Sequence, residues 1–234
     1  MTTNKITLET LRDIETPAAT GTWQPVSHDN ARRSLMVALN ASGFEHSNER
    51  IEIKEDGSVA YGTVTLEIPT RAGVWAPEAL WFNAHDKSRA VTFGAGERVA
   101  ACTNGCVWAE TVLKSKRTSG ILTRLDSLAA EFVAGLAQSV ETNDNRRERY
   151  ASEFVGPDWG RALAVRIAEA GVLPSSKILP MLSEFENPSF GYSHNPATLL
   201  GLQSAVTHTL KNYSAVAQHD RSLKLTRFLD ALAS

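Results

Sequence analysis

The sequence predicts an α+β fold: an N-terminal helix, an antiparallel β-meander, then several C-terminal helices. Three observations carry this expectation. Apolar residues recur at every second position between Arg50 and Ile68. Short apolar runs divided by turn residues continue to Val112. From Ile121 onward the apolar spacing lengthens to three and four.

Residues 1–22 are polar and end in Thr-Pro-Ala-Ala-Thr-Gly, so they read as a mobile N-terminal arm with little core, ahead of a single α+β domain over 23–234. A helix should begin after Ser27, whose hydroxyl can accept a first-turn N–H, and stop at Gly43, with Leu35 and Leu39 on its buried face. Ile51 and Ile53, the turn Lys54-Glu55-Asp56-Gly57-Ser58, and Val64, Leu66 and Ile68 describe a β-hairpin. Pro69 to Pro77 reads as a loop. Strands follow at Ala79–Phe82, Ala90–Phe93, Arg98–Cys102 and Cys106–Val112, divided by the turn-forming stretches His85–Ser88, Gly94–Glu97 and Asn104-Gly105.

Ile121, Leu125, Leu128, Phe132, Leu136 and Val140 then form the stripe of an amphipathic helix of about five turns, and the polar stretch Glu141–Glu148 reads as its end. Trp159, Leu163 and Ile167 mark a further helix stopped near Gly171, with Pro174 and Pro180 beyond it. Asn195 followed by Pro196 reads as a cap and first-turn proline opening a helix with Leu199, Leu202, Val206 and Leu210. A last helix is expected around Leu223, Arg227 and Leu232.

The 234 residues, 42% hydrophobic and 21% charged, match a globular chain that buries its own core, and argue against wholesale disorder or a fibrous repeat. The N-terminus has acidic residues where a secretory leader needs an apolar stretch, and no 18-residue apolar run occurs, so a cytoplasmic protein without membrane spans is expected. Two cysteines are too few for a secreted disulfide scaffold. The net charge of −2 conceals an asymmetry. The balance is −5 over residues 1–86, +5 over 87–124 and −2 over 125–234.

Three chemistries fit the residue types of the central block. Cys102 or Cys106 with His85 as base and Asp86 orienting it has the components of a thiol enzyme. The same cysteines flanking a tight turn are also what two small buried core residues look like. A zinc site would need two further ligands from His85, His194, His208 or His219, and no second cysteine pair completes one, so neither metal nor cofactor is expected. Gly94-Ala95-Gly96 lacks the third glycine and following helix of a dinucleotide loop, and phosphate-loop, HExxH and GxSxG patterns are absent. Lys87, Arg89, Arg98, Lys114, Lys116, Arg117 and Arg124 interleave with Trp81, Phe82, Phe93 and Trp108. That combination pairs phosphate attraction with stacking surfaces, which points to nucleic acid and to single-stranded DNA in particular.

Several segments together carry a family resemblance: PVSHDNARRSL with GFEH near the start, Ala84-His85-Asp86-Lys87-Ser88, GAGERV at 94–99, Cys102-Thr103-Asn104, and TLLGLQSAVTHTLKNYS from Thr198 to Ser214. In their order and spacing, across most of residues 23–232, the chain resembles the bacterial and phage/plasmid-like family catalogued as domain of unknown function number 932. The family often carries a basic residue, histidine and threonine after the cysteine block, whereas Lys116-Arg117-Thr118 has arginine in the middle. The resemblance implies carriage by phages, plasmids or integrated elements and implies no activity. The leading expectation is therefore a non-enzymatic mobile-element protein that binds nucleic acid. The alternatives are an inhibitor of a host protein such as a defence component, using the acidic N-terminal part against a basic partner, and a cysteine-dependent enzyme.

Overall fold

The computed structural model describes residues 3–71, 75–99, 105–106, 113–116, 118–189 and 194–233. The α+β expectation holds, with an N-terminal helix, a β-meander and a helical C-terminal half. The chain divides into two compact units rather than one. The first comprises Met1–Pro69, Ala76–Glu97 and Ala109–Val140; the second comprises Thr70–Trp75, Arg98–Trp108 and Glu141–Ser234.

The first unit is built on strands β1 (Thr3–Lys5), β2 (His46–Lys54), β3 (Val59–Leu66), β4 (Trp75–Ala84) and β5 (Val91–Val99), hydrogen-bonded in that order. The pairs β1/β2, β2/β3 and β3/β4 are antiparallel, with Ile53 opposite Ala60 and Tyr61 opposite Phe82. The hairpin between β2 and β3 turns at Gly57, whose φ of 71° lies where a side chain is disfavoured. Its Asp56 accepts the Ser58 N–H at 2.9 Å. Gly43, at φ 74°, ends the first long helix.

Residues 3–12, expected as an arm, carry regular structure. β1 extends the sheet edge, and helix α1 (Leu8–Arg12) puts Leu11 into the core. Helix α2 (His28–Ala41) starts at its expected cap, with the Ser27 hydroxyl accepting the Asn30 N–H at 3.0 Å. It packs against α3 (Ile121–Ala134), where the Ser34 hydroxyl donates to Asp126. Leu35, Leu39, Trp81, Phe93, Leu125 and Phe132 share one core, and Phe93 meets Phe132 with ring centroids 6.3 Å apart.

Gly94–Glu97, expected as a turn, lies inside β5. The glycine is there for contact rather than curvature, because a Cβ at Gly94 would come within 3.1 Å of the Leu80 side chain. The expected loop Pro69–Pro77 ends early, since β4 begins at Trp75. The expected strand Arg98–Cys102 has its first two residues at the end of β5, and most of the expected strand Cys106–Val112 lies outside the described residues. A two-residue strand β6 (Gly105–Cys106) and a strand β7 (Leu113–Ser115) are described, and β7 pairs antiparallel with β5.

The second unit is mostly helical: α4 (Leu136–Ser152) from Glu141 onward, α5 (Gly156–Glu169), α6 (Ile178–Glu186), α7 (Leu199–Leu210) and α8 (Ala215–Asp230). The apolar stripe from 121 to 140 is divided at Gly135, and Glu141–Glu148 continues α4 instead of ending it. The physical reason is tertiary. Arg146 reaches Asp230 at 3.0 Å and Arg147 pairs with Asp144, so these polar residues are satisfied inside the unit. Helix α7 begins at Leu199, with Thr198 rather than Asn195 as its cap. Ten of its twelve residues are buried, which makes it the central helix of this core. A Cβ at Gly201 would overlap the Pro196 carbonyl, so only glycine admits that close backbone approach. Among the described residues no helix is long and apolar enough to cross a membrane.

Candidate functional site

The antiparallel register of β5 and β7 sets Val91 opposite Ser115, Thr92 opposite Lys114 and Phe93 opposite Leu113. One end of this ribbon therefore carries basic residues from two distant stretches of chain. Arg89 lies just before β5, Lys116 just after β7, and Lys87 in the turn that leads into β5. Lys116 and Lys87 are exposed, and the Thr118 N–H bonds the Lys116 carbonyl at 3.0 Å, folding the chain towards α3. Arg124, on the first turn of α3, is exposed and donates to the Gly120 carbonyl and the Thr118 hydroxyl, both at 3.3 Å. Arg98 lies near the opposite end of β5 and does not join this group. The side chain of Lys114 and all of Arg117 lie outside the described residues.

The aromatic half of the sequence expectation is overturned. Trp81, Phe82 and Phe93 are 1%, 4% and 0% exposed, so they are core residues and offer no stacking platform. Trp108 lies outside the described residues. Half-buried Trp23 is the aromatic that meets this basic run from the surface side, with the Lys87 Nζ 4.7 Å from its ring centroid. Arg89 lies over the Phe82 ring at 5.3 Å.

His85 and Asp86 part company at the end of β4. His85 is 8% exposed, its Nε2 is 2.9 Å from the Val26 carbonyl, and its ring stacks on His28 at 3.8 Å between centroids with 14° between planes. Asn83, fully buried, donates from its amide to the Val26 carbonyl at 2.7 Å and to His28 Nδ1 at 3.1 Å. An Nδ1 that accepts requires His28 to carry its proton on Nε2, which lies 3.1 Å from the Gly57 carbonyl. The cluster thus ties the entrance of α2 and the β2–β3 turn to β4 by hydrogen bonds. Asp86 is exposed instead and accepts the Ser88 N–H at 3.0 Å. Partial burial pushes its carboxyl up, but the Ser88 bonds and the Lys54 charge outweigh that and leave it below the usual range. Lys54 and Ser58 likewise hold Asp56 down at about 2. Cys102 and the Cys106 side chain lie outside the described residues, and among those described no group of His, Cys, Asp and Glu could hold a metal.

A second feature escaped the sequence reading. The helical unit contains a cavity of about 330 Å³ lined by Arg71, Trp75, Asp144, Arg147, Glu148, Ala151, His194 and Leu200. The Arg147 guanidinium lies 5.3 Å from the Trp75 ring centroid, and the side chains of its ion pair with Asp144 are only 4% and 8% exposed. The Asp144 Oδ2 also accepts the Arg71 N–H at 3.3 Å. At the rim, Arg71 pairs with Glu148 at 3.1 Å. Ser204 gives its hydroxyl proton to the Leu200 carbonyl at 2.9 Å, so its 3.3 Å contact with His194 Nε2 is one in which the ring donates. Burial pulls the His194 pKa down, which keeps the ring neutral near pH 7. The only sequence signal for this cavity was the charged run from Asp144 to Arg149, set at helical spacing.

No protein-family model, characterised protein or solved structure matches this chain.

Proposed function

We propose that this chain is a non-enzymatic cytoplasmic protein of a mobile element that binds nucleic acid, single-stranded DNA in the first instance, through phosphate contacts from Lys87, Arg89, Lys116 and Arg124. The observation that supports this reading is the β5/β7 register, which gathers basic residues from two separate stretches at one end of a ribbon. With Trp81, Phe82 and Phe93 in the core, these three rings add no stacking, and the reading rests on charge. Binding of this kind releases counterions, and about four phosphate contacts to a single strand give a slope of log K against log salt of about −3.

Fluorescence anisotropy with a labelled oligonucleotide tests this. Raising the salt from about 50 to about 200 mM should weaken binding roughly 50-fold. Lys116→Glu combined with Arg124→Glu should weaken it further at low salt and flatten the salt slope. Absence of binding at low salt, or a double variant that binds as the parent does, overturns the reading.

A further inference from the structure

We propose that the cavity of the helical unit is a binding site for a nucleobase, taken as an uncharged planar heterocycle with an exocyclic amine.

Its size lies at the lower end of the ~300–1,000 Å³ range of small-ligand sites, which suits a nucleoside better than a larger cofactor. Its walls combine the Ala151 and Leu200 side chains with the Trp75 indole, one face of which the Arg147 guanidinium covers, and an aromatic wall of this kind is a surface on which bases stack. The charges select against ions. Arg71 and Arg147 are balanced by Asp144 and Glu148, and His194, held neutral by burial, adds nothing. The lining therefore carries no net charge to hold an anionic phosphate, whereas a neutral base needs none. Each oxygen of the Asp144 carboxylate can accept two hydrogen bonds, so accepting from Arg147 and the Arg71 N–H leaves capacity for an amine N–H. Arg71 and Glu148 at the rim, 51% and 60% exposed, leave the polar side open for a sugar.

This inference rests on the cavity alone and not on the basic end of the β5/β7 ribbon. Isothermal titration of the full chain with adenosine, guanosine, cytidine, uridine and free tryptophan tests it. The amine-bearing nucleosides should bind saturably, and uridine, which lacks the exocyclic amine, at least about tenfold more weakly. Ala151→Leu, which adds bulk at a half-buried cavity position, should abolish that binding while leaving salt-dependent oligonucleotide binding in place; Leu200→Phe serves if that variant does not fold. Lys116→Glu with Arg124→Glu should retain nucleoside binding. No saturable heat with any nucleoside, tighter binding of the zwitterionic amino acid, or binding unchanged by filling the cavity would each overturn the proposal.

Discussion

One buried polar cluster in the sheet-bearing unit and one in the helical unit hold their side chains by different chemistry. In the first, Asn83 donates to His28 Nδ1 and to the Val26 carbonyl, His28 Nε2 donates to the Gly57 carbonyl, and His85 Nε2 lies 2.9 Å from the Val26 carbonyl. In the second, Arg146 and Arg149 converge with Tyr150 on Asp230, and Arg147 on Asp144. Neutral hydrogen bonds contribute about 0.5–1.5 kcal/mol net each and charged ones about 1.5–3 kcal/mol, with a larger penalty when one member of a buried ion pair is removed. The two clusters should therefore fail differently under mutation and under acid.

The largest expected effect is at Asp230. Asp230→Ala leaves the 6% exposed Arg146 side chain with Asn143 but without its carboxylate, and should cost about 3 kcal/mol. Burial raises the Asp230 pKa, but the bonds from Arg146 and Tyr150 and the nearby Arg149 charge outweigh it and leave it lowered. A depressed carboxylate stabilises the fold above its unfolded pKa and loses that contribution as pH falls through the folded value. The difference in urea midpoint between parent and variant should thus be full at neutral pH and shrink below about pH 4. A gap that stays constant with pH removes Asp230 from the account. Burial also raises the Tyr150 hydroxyl, whose proton donated to Asp230 is then retained throughout this range.

Asn83→Leu should come next, at about 2–3 kcal/mol, because it takes a donor from His28 Nδ1 and from the Val26 carbonyl inside the core. Native-state hydrogen exchange resolves where the loss falls. Protection should drop in α2 and β2–β5 while α5–α8 keep theirs. Equal loss across both sets would mean that the two units unfold as one body, and the comparison would lose its meaning.

What the sequence disclosed follows the range of the interactions. The Ser27 cap, the Gly57 turn and the Gly43 stop are decided within a few residues, and all were legible. Gly94–Glu97 was misread because a glycine pair looks the same whether it bends the chain or admits a neighbour, and the neighbour, Leu80, comes from another strand. The polar stretch of α4 was misread because the partner of Arg146 lies 84 residues away. The candidate site shows the same limit. Its basic residues were visible as a run of charge, but which of them share a surface depends on the β5/β7 register, and the burial of Trp81 and Phe93 depends on α2 and α3 packing above them.

The smallest effects compare two helix caps, one in each unit. Ser27 accepts the Asn30 N–H at the exposed-faced α2, and Ser27→Ala should cost about 1 kcal/mol, the ordinary value for a lost cap. Thr198 does more at the head of α7. Its hydroxyl accepts the Gly201 N–H at 3.3 Å and donates to the Asn195 carbonyl at 2.8 Å, and the residue is 3% exposed. Thr198→Ala therefore removes both bonds where water cannot replace them, and should cost about 2 kcal/mol. Thr198→Ser keeps the hydroxyl and should recover most of that loss, which separates the cap from the packing of the methyl group. Equal costs at the two caps, measured by urea denaturation, would show that the buried start of α7 draws no more on its cap than the half-exposed start of α2.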